Sequence, residues 1–223
     1  MKNEEIFLTL HANIKKQTMK KLLILTFMCL PLTAMAQNDW EVPDEAARPT
    51  DVVKVNPDQK YLAGAVPVVD GKVVFQKTIK APGKSADEIY DIMLDYITRM
   101  TQGGNQFEQS RVVINDKEKH QIVADFLEWL VFTDKALVLD RTRMRYYLMA
   151  ECKDGEVTAK MTRITYFYEE ERDPQHYTAE EWITDDEALN KKKNKLYRMN
   201  GKFRRRTIDR KDFIFNKFEE ILK

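Results

Sequence analysis

Residues 121–168 read as three long strands joined by turns too short to allow anything but antiparallel neighbours. Segments 121–132 and 137–152 flank a turn at 133–135, and Asp154-Gly155 turns the second segment into 156–168. Connections this short force each strand to pair with the one before it. A shorter strand at 110–115 precedes them across the polar turn 116–119. Such a sheet has an apolar face that must be covered by another layer.

Helical patterns on either side supply that cover. Ser85 and Glu88 have the spacing of a capping box, and Ile89, Ile92, Met93, Tyr96, Ile97 and Met100 then recur at helical intervals. The stretch 101–105, with Gly103-Gly104, ends this helix. Upstream, 66–69 and 73–79 read as a strand pair around Asp70-Gly71, the first member short and edge-like because of Pro67. Past the sheet, Thr178 and Glu181 make a second capping box with Tyr177 and Trp182 as a hydrophobic staple. A charged helical segment of about 178–200 follows, with a thin stripe of Trp182, Leu189 and Leu196. Asn200-Gly201 is expected to break it, and Ile208 and Phe213 to staple a new helix capped by Asp209. The expected fold is α+β in the order β-α-β-β-β-β-α, an antiparallel sheet with helices packed on one face.

Three stretches carry a family resemblance. They are Tyr61-Leu62-Ala63-Gly64-Ala65-Val66-Pro67, then Pro82-Gly83-Lys84-Ser85-Ala86, then Lys202-Phe203-Arg204-Arg205 running into Thr207-Ile208-Asp209. Together they resemble the domain of unknown function with a TBP-like fold that is common in exported Bacteroidetes proteins. The resemblance runs from about Tyr61 to the C-terminus. It implies a curved sheet with helices on one side, and it brings no activity, substrate or catalytic residue.

Residues 19–36 read as an export signal. Lys20 and Lys21 precede an apolar run too short to span a membrane, and Ala34-Met35-Ala36 has the small-x-small pattern of a cleavage site. Residues 1–18 ahead of it are expected to be a start-site misassignment or an extended n-region, with Met19 the true start. The polar, proline-containing stretch 37–60 reads as a flexible linker, and 61–223 as one domain. No membrane-spanning segment is expected after cleavage. The expected address is the periplasm, the outer-membrane surface or the medium of a Gram-negative bacterium. Cleavage would remove five Lys and two acidic residues, turning 37 bases against 36 acids into 32 against 34. That balance does not suit a nucleic-acid binder. Cys29 would leave with the signal, so Cys152 would have no disulfide partner within the chain.

Catalytic raw material is scarce. Gly83-Lys84-Ser85 lacks the upstream glycine of a phosphate-binding loop, since that position is Thr78, and Ser85 is needed as a cap. There is no HExxH, CxxC or calcium-loop spacing, and no cofactor is indicated. His120 and Cys152 fall at one end of the sheet, which leaves a Cys–His hydrolase, or a carboxylate one, as the alternative to a binding role. Charge is segregated: 169–190 holds nine acids and one base, and 191–211 eleven bases and one acid. The two blocks are expected to neutralise each other rather than to dock on an anionic surface.

The most informative surface is on the 121–132/137–152 hairpin. If residues of like parity pair, Ile122, Ala124, Phe126 and Leu130 share the core face with Met144, Tyr146, Leu148 and Ala150, interrupted by Glu128. The other face then carries Asp125, Leu127 and Trp129 beside Arg141, Arg143, Arg145 and Tyr147. Alternating arginines next to tryptophan make a candidate partner-binding face, centred on Trp129, Arg141, Arg143, Arg145 and Tyr147. The expected partner is an envelope component, whether protein, glycan or lipid.

Overall fold

The computed structural model describes residues 56–223 apart from Leu137; the expectations for 1–18, for the export signal and for the linker up to residue 55 lie outside the described residues. β1 (Val68–Val69) and β2 (Lys72–Lys80) form the expected pair, turned at Asp70 and Gly71, both in the left-handed region. α1 (Ala86–Met100) opens at Ser85, whose hydroxyl accepts from the Glu88 amide while the Glu88 carboxylate accepts from the Ser85 amide. Its apolar face buries Ile89, Tyr90, Met93 and Ile97.

β3 (Arg111–Asp116), β4 (Gln121–Lys135), β5 (Val138–Lys153) and β6 (Glu156–Tyr168) follow, each antiparallel to its neighbour. The curved seven-stranded sheet has the order β1-β2-β6-β5-β4-β3, and the seventh strand, β7 (Gln175–Thr178), pairs with β6 off that path. β6 divides its outer edge: β2 takes 156–162 and β7 takes 165–168. β7 is not anticipated from sequence, because four largely polar residues show no strand pattern of their own.

The hairpin at the centre reverses later than expected. The ladder runs on through 133–135 to Lys135 opposite Val138. Lys135 and Val138 are of unlike parity, and that register carried on unbroken would set Trp129 beside Met144. A bulge between Val131 and Thr133 removes one residue from the count. Trp129 therefore faces Arg143, Leu127 faces Arg145 and Asp125 faces Tyr147. The expected core residues of both strands are buried and join α1 and the C-terminal helix in one cluster that includes Met93, Ile97, Phe203, Ile214 and Phe218.

The last third differs from the sequence reading: the charged segment of about 178–200 is not one helix but two four-residue helices followed by irregular chain to Tyr197, and the helix after it starts earlier than expected. α2 (Ala179–Trp182) has the Thr178/Glu181 capping box, and the Tyr177 ring stacks on Trp182 at 3.7 Å. α3 (Asp185–Ala188) follows. α4 then runs unbroken over Arg198–Ile221, so Asn200-Gly201 is no break and Asp209 no cap. Gly201 serves proximity instead. A Cβ there would lie 2.9 Å from the Cβ of Leu196, which packs with Leu62 and Leu189. The cost of about 1 kcal/mol for glycine within a helix is offset by that contact. Asp209 accepts bonds from Lys60 Nζ and Tyr61 Oη, and Arg205 forks onto Asp58. Residues 56–60, placed in the linker by the sequence reading, are thus tied to α4. No helix among the described residues is long and apolar enough to cross a membrane.

Candidate binding face

With the helices on one side of the sheet, the odd-numbered residues of β4 and β5 look outward. The structure places Trp129, Arg141, Arg143, Arg145 and Tyr147 together on that side, half-buried or exposed. The Arg141 guanidinium lies 3.7 Å from the Trp129 ring centroid. Phe107 also packs on Trp129, at 5.1 Å between ring centroids, carried there by a short bridge in which its amide donates to Leu127 O and the Trp129 amide donates to Asn105 O.

Arg143 is the centre of the face. Its Nε and Nη2 both donate to the Glu170 carboxylate. Its guanidinium lies 4.7 Å from the Phe167 ring and 5.6 Å from Phe107. Register carries the row onward: Phe167 of β6 is opposite Arg143, and His176 of β7 is opposite Phe167, their rings stacked at 4.3 Å. Arg145 forks onto buried Asp125, whose hydrogen bond and charge hold the guanidinium above its ordinary pKa. Arg163, in the left-handed region, reaches over Tyr147 at 5.8 Å.

Two depressions flank Arg143. One, of about 340 Å³, is lined by Leu127, Arg143, Arg145, Thr165, Phe167 and His176 among others. The second, of about 260 Å³, is lined by Trp129, Arg141, Phe167 and the acidic turn 169–172. Phe167 lines both, and the Arg143–Glu170 pair stands between them. Sequence reasoning missed Phe107, Phe167, Glu170 and His176. Unbroken alternation along 156–168 would place Phe167 on the core face with Val157, Ala159 and Met161; the irregularity at Arg163, in the left-handed region, shifts the pattern and turns Phe167 outward. The other three depend on a bridge, a turn and a strand that have no local signature.

Other candidates are absorbed by structure. Glu128, which seemed to interrupt the core face, is wholly buried and accepts both forks of Arg210 from α4, at 2.8 and 2.7 Å. The basic block is largely consumed within the fold. Lys193 pairs with Asp186, Lys202 with Asp140, Arg204 with Asp185 and Arg205 with Asp58. Lys84 of the Gly-Lys-Ser tripeptide donates to Leu222 O. Cys152 lies in the core, where burial pushes its thiol up to about 12, so it is a neutral thiol at physiological pH. The His120 ring is joined to Asp87 at 2.9 Å and packs edge-on against Tyr90. That arrangement generates no thiolate nucleophile.

A family model described as a domain of unknown function (DUF4468) with TBP-like fold matches residues 75–167. The chain is 41% identical to a DUF4468 family protein from Bacteroides ovatus ATCC 8483, covering 75% of this chain and 96% of that one, and the two structures agree with a TM-score of 0.70. A TBP-like protein from Parabacteroides distasonis ATCC 8503 shares the fold at 20% identity, with 70% and 96% of the two chains covered and a TM-score of 0.58. No curated protein matches the chain. The chain belongs to the DUF4468 family, and its curved antiparallel sheet with helices is the TBP-like fold.

Proposed function

We propose that this chain is an exported binding module of the cell envelope, and that it holds its partner on the open face of the sheet. The observation that carries this reading is the row Trp129, Arg143, Phe167 and His176, laid across four strands on the side that the helices leave uncovered. Tryptophan and arginine, half-sunk beside other rings, are the residue types that dominate binding energy at protein surfaces. Pairing with Asp125 pre-orients the Arg145 guanidinium, so little of its side-chain entropy remains to be lost on association. The export pattern at 19–36 supports an envelope address, and the net charge of the processed chain argues against nucleic acid.

Retention of the processed full chain on separated envelope fractions (protein, glycan, lipid) tests this. The double variant Trp129→Ala/Arg143→Ala is expected to lose at least about tenfold in retention, the equivalent of 1.4 kcal/mol or more, with its melting temperature close to that of the parent. Asp95→Ala, on the exposed face of α1, is the control and should bind like the parent. Equal retention by the double variant would remove the open face from the reading.

A further inference from the structure

The Arg143–Glu170 pair is more than a surface ion pair. It sits where the two depressions meet, between the rings of Phe167 and Phe107, and both partners are less than one-third exposed. Glu170 comes from the acidic turn 169–173 rather than from a strand. That turn is held by the Arg172 and Asp173 amides, both donating to Glu169 O. Glu169 itself sits at φ +54, a left-handed backbone that costs a non-glycine residue about 1 kcal/mol. A side chain on a strained turn thus reaches over the sheet and presents a carboxylate to an arginine. The larger depression beside it offers the apolar surfaces of Leu127 and Phe167, flanked by Thr165 and His176, with cationic groups at Arg143 and Arg145.

We propose that Glu170 is an internal stand-in for a ligand carboxylate, and that this site binds a molecule with a free carboxylate attached to an apolar body. The ligand's carboxylate takes over the two donors of Arg143, its apolar part fills the depression against Leu127 and Phe167, and Glu170 swings out with its turn. Displacement joins the two depressions into one groove bordered by Trp129. The fork of Arg143 matches a carboxylate in a planar two-bond arrangement that a neutral amide cannot reproduce. Because Glu170 competes within the same chain, the observed affinity is the intrinsic one reduced by the fraction of molecules in which Arg143 is uncovered. This inference rests on the open-face reading and narrows it to one chemistry.

Calorimetric titration of the processed full chain tests it with three probes: the dipeptide N-acetyl-Leu-Phe with a free carboxylate, the same dipeptide as its C-terminal amide, and decanoate. At least one of the two acids is expected to bind and the amide to fail. Preference for the dipeptide points to a chain terminus as the natural source, and preference for decanoate points to a fatty acid. Glu170→Gln is expected to tighten the acid by about tenfold by removing the competitor, and Glu170→Ala to do at least as much. Arg143→Met should abolish binding while leaving the fold intact by circular dichroism. A purely structural ion pair would give the opposite sign, with Glu170→Gln neutral or weaker. Equal binding of acid and amide, no binding of either acid to Glu170→Gln, or no gain from that variant would overturn the proposal. If the acids fail while Trp129→Ala/Arg143→Ala still loses envelope retention, the carboxylate inference falls and the binding face stands. If an acid binds at Arg143 while retention is unaffected, the carboxylate site stands and the envelope partner falls instead.

Discussion

Arg204→Met is expected to lower the unfolding free energy by about 3–5 kcal/mol, a large share of what a single domain has. The side chain is wholly buried, and burial alone works to lower the guanidinium pKa, partly countered by Asp185. Its Nε donates to Tyr61 O at 2.6 Å, its Nη1 to Ile183 O at 2.7 Å, and its Nη2 to Leu62 O at 2.7 Å and Asp185 Oδ1 at 2.6 Å. One guanidinium thus pins the chain leading into β1, the end of α2 and the start of α3 onto α4. Methionine fills similar space with no donor. Three carbonyls and a carboxylate then lose this donor; Leu62 O keeps the Ala65 amide and Asp185 the Gly64 amide, and each buried group left unsatisfied costs about 1–3 kcal/mol. Lysine, with one compact head, can serve fewer of these acceptors and should lose less than methionine. Urea unfolding checks this; a midpoint unchanged from the parent would contradict the assignment.

The second large effect is non-additive. Burial opposes the charge on Arg210, yet the Glu128 carboxylate holds its pKa above the ordinary arginine value. Glu128→Leu or Arg210→Met alone strands a charge inside the protein and is expected to cost about 3–5 kcal/mol. Replacing both partners with apolar residues, Glu128→Leu/Arg210→Met, removes the charge and its partner together and should recover most of that loss. The thermal unfolding of the four proteins forms the cycle. A double variant as unstable as the sum of the two singles would show that the pair contributes only as two independent side chains.

The local half of this structure was legible and the non-local half was not. Both capping boxes, the Tyr177–Trp182 staple and the two faces of the central hairpin follow from spacing alone. The hairpin faces were reached although the turn was misplaced, because the bulge after Val131 restored the parity that the later reversal would have upset. Glu128 looked like a flaw in the core face because its partner is 82 residues away. Gly201 looked like a helix break because its reason for being glycine is the approach of Leu196, which no local pattern reports. At the binding face, Trp129 and the three arginines stood out by alternation. Glu170 and His176 did not, since a turn and a four-residue edge strand are defined only by what they lean against.

The open sheet face is the proposed working surface. Hydroxyl-radical footprinting of the processed chain, alone and with the envelope fraction that retains it, tests this most directly because it reads side chains individually. Protection of Trp129, Phe167 and His176 is expected on binding, with Tyr96 of α1 and the exposed Tyr197 and Met199 at the start of α4 labelled as before. Protection of Tyr197 and Met199 with Trp129 and Phe167 unchanged would contradict it.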